Sequence, residues 1–145
     1  MEEYILQGKN IIEKDIARRD FKRGGEVSSK LKSLLRKLGV DTAVIRKISI
    51  ITYELEMNII IHSEGGKINA SITSETINVC AKDYGPGIDD LDKAFKPGYS
   101  TATDEIRELG FGAGMGLNNV KKYSDNLEVD TKPDEGTEVR VQINI

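Results

Sequence analysis

Apolar residues follow three rhythms along the chain. Between residues 4 and 16, Tyr4, Ile5, Ile11, Ile12 and Ile16 are spaced for extended or mixed structure, and Gly24-Gly25 breaks the pattern. Val27, Leu31, Leu34, Leu35 and Leu38 then recur at helical spacing with Gly39 at the stop, which predicts a helix. Asp41 has the short acceptor side chain of an N-cap, so a second helix is predicted from there to about His62, closed by Gly65-Gly66. Residues 67–73 and 76–82 alternate apolar and polar side chains and read as two strands joined by a short turn. Residues 83–103 are rich in Gly, Pro, Asp and Ser, as in a functional loop. A third helix is predicted from near Met115 to around Ser124, and residues 127–131 and 137–145 form a last hairpin across Pro133-Asp134-Glu135-Gly136. This order packs most simply as helices on one face of a largely antiparallel sheet.

The second helix carries an anomaly. At about 100° per residue, Ile48, Ile51, Leu55 and Ile59 form one apolar stripe and Ile50, Met57 and Ile61 another, with Glu54, Asn58 and His62 between them. Glu56 points to nearly the opposite side with Ser49 and Tyr53, where a surface glutamate belongs. Burying an unpaired carboxylate costs several kcal/mol, so Glu54 needs partners or a task. The i, i+4 spacing aims Glu54 and Asn58 at one point. There a carboxylate can activate a hydroxyl or water while an amide oxygen holds a hard cation. A polar network tying the helix to the sheet is the other reading. For His62, capping or packing is the simpler role.

Composition sets the outer bounds. The chain has 145 residues, 38% hydrophobic and 31% charged, which fits one folded domain, 1–145. Its net charge of −3 does not suggest bulk attraction to nucleic acid. Residues 1–47 hold 12 basic and 7 acidic side chains while residues 48–145 hold 9 and 17, compatible with a basic surface that meets an acidic partner or with solvated helix faces. A single cysteine, Cys80, and a single histidine, His62, exclude a disulfide framework within the chain and disfavour zinc. The acidic opening Met-Glu-Glu-Tyr does not read as a signal peptide, and residues 48–61 are interrupted by Glu54, Glu56 and Asn58, so a cytoplasmic protein without a membrane span is expected.

Two glycine clusters flank the loop. Asp83-Tyr84-Gly85-Pro86-Gly87-Ile88 ends the second strand, where an aspartate can accept from an amino group and glycines allow close ligand approach. Gly110-Phe111-Gly112-Ala113-Gly114-Met115-Gly116-Leu117 places alternate glycines directly before a helix, with free N–H groups at its positive end, which suits phosphate. There is no Gly-x-x-x-x-Gly-Lys-Ser/Thr, and the cluster does not open a βαβ unit, so a P-loop is excluded and a dinucleotide fold disfavoured.

Glu54-x-x-x-Asn58, Asp83-x-Gly85-x-Gly87 and Gly112-x-Gly114-x-Gly116, followed by Gly136-Thr137, resemble in order and context the GHKL ATP-binding superfamily. The resemblance runs from about residue 25 to 145. It implies the Bergerat fold: a two-layer α/β sandwich with helices on one face of a mixed, mostly antiparallel sheet, and an ATP lid at about 96–111. Residues 54–62 and Pro97-Gly98-Tyr99-Ser100-Thr101 are similar to motifs of the small bacterial serine/threonine kinases that act as anti-sigma factors in partner switching. A histidine kinase would need a phospho-accepting histidine upstream, and gyrase and MutL relatives need further domains.

By this resemblance Asn58 coordinates Mg²⁺ and Glu54 is the general base. Asp83 accepts from the adenine amino group, with Gly85 in the same motif and Gly87 letting the base approach. Thr137 bonds near the adenine. Gly112, Gly114 and Gly116 surround the phosphates, with Gly110, Met115 and Leu117 in the same cluster. Ser100 and Thr101 touch phosphates, and Arg107 neutralises charge on the transferring group. The implied activity is phosphoryl transfer from Mg-ATP to a Ser or Thr of a small STAS-type, anti-anti-sigma-like protein, with a sigma factor or another regulator as the alternative target and homodimerisation common in the class. A regulatory module that needs ATP without transferring phosphate, and a plain ATPase, are the other readings.

Overall fold

A computed structural model describes residues 9–85, 116–132 and 134–145. The first extended stretch becomes β1, Lys9–Ile16, which buries Ile12 and Ile16 and turns Glu13 and Asp15 outward. A short 3-10 turn, Phe21–Arg23, leads into α1, Glu26–Lys37, whose Val27, Leu31 and Leu35 are buried at four-residue spacing. α2, Thr42–His62, starts at Asp41, where Oδ1 accepts the Ala43 N–H at 2.8 Å as an N-cap does. β2, Gly66–Ile72, and β3, Thr76–Asp83, form the expected hairpin. α3, Gly116–Tyr123, precedes the second hairpin, β4, Asn126–Lys132, and β5, Gly136–Asn144.

The five strands lie in the order β1-β2-β3-β5-β4. All four pairings are antiparallel, so the described strands contain no parallel member of the mixed sheet anticipated from sequence. The inward residues Ile68 and Ala70 of β2, Ile77, Val79 and Ala81 of β3, and Val139, Val141 and Ile143 of β5 meet the helices. Against them pack Ile48, Ile51, Leu55 and Ile59, the first apolar stripe of α2. Burying such a side chain contributes about 1.5–3 kcal/mol, and this layer dominates the stability of the fold. The outward residues form a polar ladder that includes Lys67 on Glu13 at 3.2 Å and Arg140 on Glu138 at 2.9 Å and Glu128 at 3.1 Å. Cys80 belongs to this face; burial, then Glu138, pushes its thiol up to about 11, which leaves it a poor nucleophile at neutral pH.

β5 is the inserted strand: it arrives last in sequence but pairs with β3 on one side and β4 on the other. Its entry therefore lies beside the end of β3, bringing Thr137 to Asp83. Gly136 makes the juncture possible. Its φ is +119°, and a Cβ there would collide with the Asp83 carbonyl oxygen.

Glu56 overturns its sequence assignment as a surface residue. It is 1% exposed, because the start of α1 packs over that side of α2. Gly25, at φ +92°, is the N-cap of α1 and has no side chain to cap with. Glu56 supplies the acceptor from the neighbouring helix: its Oε2 takes the Val27 N–H at 3.3 Å. Burial pushes this carboxyl above its ordinary value, and the backbone N–H groups at the start of α1 oppose the shift.

Candidate functional site

Helix periodicity sets Glu54 and Asn58 one turn apart on α2, both half-buried between the apolar stripes. The end of that helix is stitched to the end of β3. After the C-cap Ser63, the Glu64 N–H donates to the Tyr84 carbonyl at 2.6 Å, and the Tyr84 N–H donates to the Gly65 carbonyl at 2.9 Å. Gly85 lies against the same corner, where an added Cβ would stand 3.2 Å from Ser63 Cα. The Glu54–Asn58 turn and Asp83 are thus carried by two elements whose ends are hydrogen-bonded to one another.

Asp83 is half-buried and its Oδ1 accepts the Thr137 N–H at 3.1 Å. Thr137 itself is buried, and its hydroxyl pairs with that of Thr131 at 3.0 Å. This contact engages Oδ1, and among the described residues no donor reaches Oδ2; the Gly136 backbone passes the Asp83 carbonyl, and Gly85 lies at the Ser63 corner. Burial raises the Asp83 carboxyl above its ordinary value, and the Thr137 N–H pulls against that shift.

Glu54 is shifted the same way for the same reason, with burial as the larger cause. Its counterweight is a residue that sequence reasoning missed: Asn119 of α3 donates Nδ2–H to Glu54 Oε1 at 3.5 Å. No spacing rule links positions 54 and 119, and only the packing of α3 on α2 brings them together. His62, at the last turn of α2, is half-buried, and burial with the charge of Arg19 holds its imidazole below the usual range. Among the described residues no group of three or more His, Cys, Asp or Glu gathers at one point. The amide oxygen of Asn58 suits a hard cation such as Mg²⁺, which would take oxygen ligands from nucleotide phosphates and water.

Gly116 and Leu117 open α3, so the one described end of the second glycine cluster is a helix start. Gly87, Ser100, Thr101, Arg107, Gly110, Gly112, Gly114, Met115 and the lid at about 96–111 lie outside the described residues. No helix among the described residues is long and apolar enough to cross a membrane.

Comparison with known proteins adds independent findings. The sequence profile described as "Histidine kinase-, DNA gyrase B-, and HSP90-like ATPase" matches residues 43–145. An anti-sigma F factor of Thermoanaerobacter sp. (strain X514) is 37% identical over 93 residues, 61% of this chain and 62% of that protein. The chain therefore spans less than two thirds of that relative's length. The serine/threonine-protein kinase RsbT of Bacillus subtilis (strain 168) is 28% identical over 113 residues, 75% of this chain and 79% of RsbT. Among solved structures, the SiaB-SiaC complex from Pseudomonas aeruginosa superposes with a TM-score of 0.64 at 16% identity, covering 98% of this chain and 94% of that one. At that identity the likeness concerns the fold alone.

Proposed function

Because the chain belongs to the histidine kinase-, DNA gyrase B- and HSP90-like ATPase family, we propose that it is an ATP-dependent serine/threonine protein kinase of a partner-switching system. Its substrate is a STAS-type antagonist protein, with a sigma factor or another regulator as the alternative target, and it acts in the cytoplasm. One observation carries the reading: Glu54 is a half-buried carboxylate one helical turn from Asn58, on the helix tied to Asp83. Nucleotide binding alone calls for Asp83 and Asn58; a base beside them calls for a hydroxyl to activate. The relatives named as an anti-sigma F factor and as a serine/threonine kinase support the same reading.

In this mechanism Asp83 Oδ2 accepts from the adenine amino group, and the Thr137 N–H keeps the carboxylate oriented. Asn58 would hold Mg²⁺ by its amide oxygen, and the ion would supply positive charge that offsets the phosphates. The glycines from Gly110 to Gly116 cradle those phosphates, with Met115 and Leu117 beside them, while Ser100, Thr101 and Arg107 act from the lid. Glu54 orients the partner's Ser or Thr hydroxyl and accepts its proton as that oxygen bonds to the γ-phosphorus, and the bond to the ADP oxygen breaks. The phosphate then adds negative charge to the partner's contact surface and loosens it.

The test is a nucleotide titration with and without Mg²⁺, joined to a labelled-phosphate transfer assay on STAS-domain proteins. Asp83→Asn is expected to lose ATP affinity, Asn58→Ala to lose the Mg²⁺-dependent tightening, and Glu54→Ala to bind ATP without transferring phosphate. Transfer retained in Glu54→Ala defeats the base assignment. ATP binding without transfer in the wild type leaves a regulatory module, and phosphate release without any protein partner leaves an ATPase.

A further inference from the structure

The kinase reading leaves open what keeps Glu54 usable as a base. A half-buried carboxyl tends to hold its proton, and a protonated Glu54 cannot accept another. The neighbour that offsets this is Asn119, whose Nδ2–H points at Oε1 from 3.5 Å. Asn119 lies in the first turn of α3, three residues beyond Gly116, on a helix that packs against the one that bears Glu54. Its rotation is fixed by the adjoining Val120, which is fully buried against the core.

We propose that Asn119 is a positioning residue for phosphoryl transfer: its amide holds Glu54 Oε1 and so turns Oε2 toward the attacking hydroxyl. The inference rests on the kinase reading above. A neutral donor suits the task. A lysine or arginine there would hold the carboxylate more tightly and weaken it as a base, whereas an aliphatic side chain would leave it protonated and free to rotate. Long hydrogen bonds in a ligand-free site shorten when the reacting complex forms, so a 3.5 Å contact is a fitting starting geometry. Because the donor rides on α3, any nucleotide contact that seats the start of this helix also seats the base.

Asn119→Leu removes the donor with the same side-chain branching, and Asn119→Asp replaces it with a like charge. Both are compared with wild type for kcat against pH in transfer to a STAS-domain substrate, for KM of ATP, and for the titration of Glu54 by carbon-13 NMR, its resonance assigned by its loss in Glu54→Gln. The Glu54 titration and the acid limb of kcat are expected to move to higher pH in Asn119→Leu and further in Asn119→Asp. On that limb kcat falls ~10-fold or more, the factor that one hydrogen bond to a charged group is worth, while KM for ATP holds. An unmoved Glu54 titration overturns the proposal, and so does a moved titration with an unmoved rate profile, since the contact would then serve structure only. A wild type inactive toward every STAS-domain protein tried, yet able to bind ATP, overturns the kinase reading itself and any catalytic meaning of this contact with it. An active wild type indifferent to both substitutions overturns Asn119 alone.

Discussion

Glu54 and Glu56 stand two positions apart on α2, and helix geometry sends them to opposite sides. Glu54 faces α3 and meets one amide, whereas Glu56 faces α1 and replaces the cap that Gly25 cannot provide. Their substitutions therefore separate function from stability. Glu56→Ala strands the buried Val27 N–H and is expected to cost about 1–3 kcal/mol in urea unfolding, with ATP affinity retained. Glu56→Gln keeps an acceptor oxygen and removes the charge. Since burial raises the folded-state pKa of Glu56, the native state holds its proton more tightly than the unfolded chain does. The wild type is then most favoured below the unfolded pKa and loses stability as pH rises through the folded pKa. Glu56→Gln escapes that loss and is expected to be the more stable at neutral pH, its advantage shrinking in acid. An advantage that grows in acid would reverse the assignment.

At the level of elements, the turn into β5 concentrates the demands of the fold. Gly136 must take φ +119° while its backbone passes the Asp83 carbonyl. Gly136→Ala is expected to cost about 1–3 kcal/mol from backbone strain alone, and to weaken ATP binding by displacing Asp83 from Thr137. Thermal melts and a nucleotide titration of that variant check both effects; unchanged affinity would show that the Asp83–Thr137 clamp does not align the site. Most elements were legible in sequence because their signals are local: four-residue spacing of Val27, Leu31 and Leu35, the Asp41 cap, and the alternation in β2, β3 and β5. Which strand enters beside β3 was not legible, since β4 and β5 are neighbours in sequence and either could pair there. The deeper burial of Val139, Val141 and Ile143 than of Leu127 and Val129 reflects the answer. Among site residues, Glu54 and Asn58 were marked by motif and by their place in an apolar arc, and Asp83 by its motif at a strand's end. Asn119 carried no such mark, because its partner lies 65 positions away. Glu56 had a signal that went unread: two glycines directly before a helix leave its first N–H groups without a capping side chain, so an acceptor must come from elsewhere.

Across the whole molecule, the proposed site draws on α2, β3, α3 and β5, which include most of the described helical layer and the middle of the sheet. Nucleotide bound at the proposed site would tie these elements in the folded state and would have no comparable site in the unfolded chain. At a free ATP concentration 100 times Kd the added stability is about 2.7 kcal/mol, a rise of about 8 °C in the melting temperature for a domain of this size. Asp83→Asn separates the two contributions of this carboxylate. Its amide oxygen can still accept the Thr137 N–H, but its NH₂ then confronts the adenine amino group donor to donor, and the ATP-induced rise should vanish. Without ligand the sign runs the other way. Burial raises the Asp83 carboxyl above its ordinary value, so the ionised form burdens the native state at neutral pH and neutral Asn relieves it. The unliganded variant should therefore melt no lower than wild type near pH 7, and the gap should close as pH falls through the folded pKa. Differential scanning calorimetry with and without Mg-ATP over a pH series reads all of this at once. A variant that keeps the ATP-induced rise would remove Asp83 from the adenine site, and one that melts lower without ligand would make the carboxylate a structural clamp first.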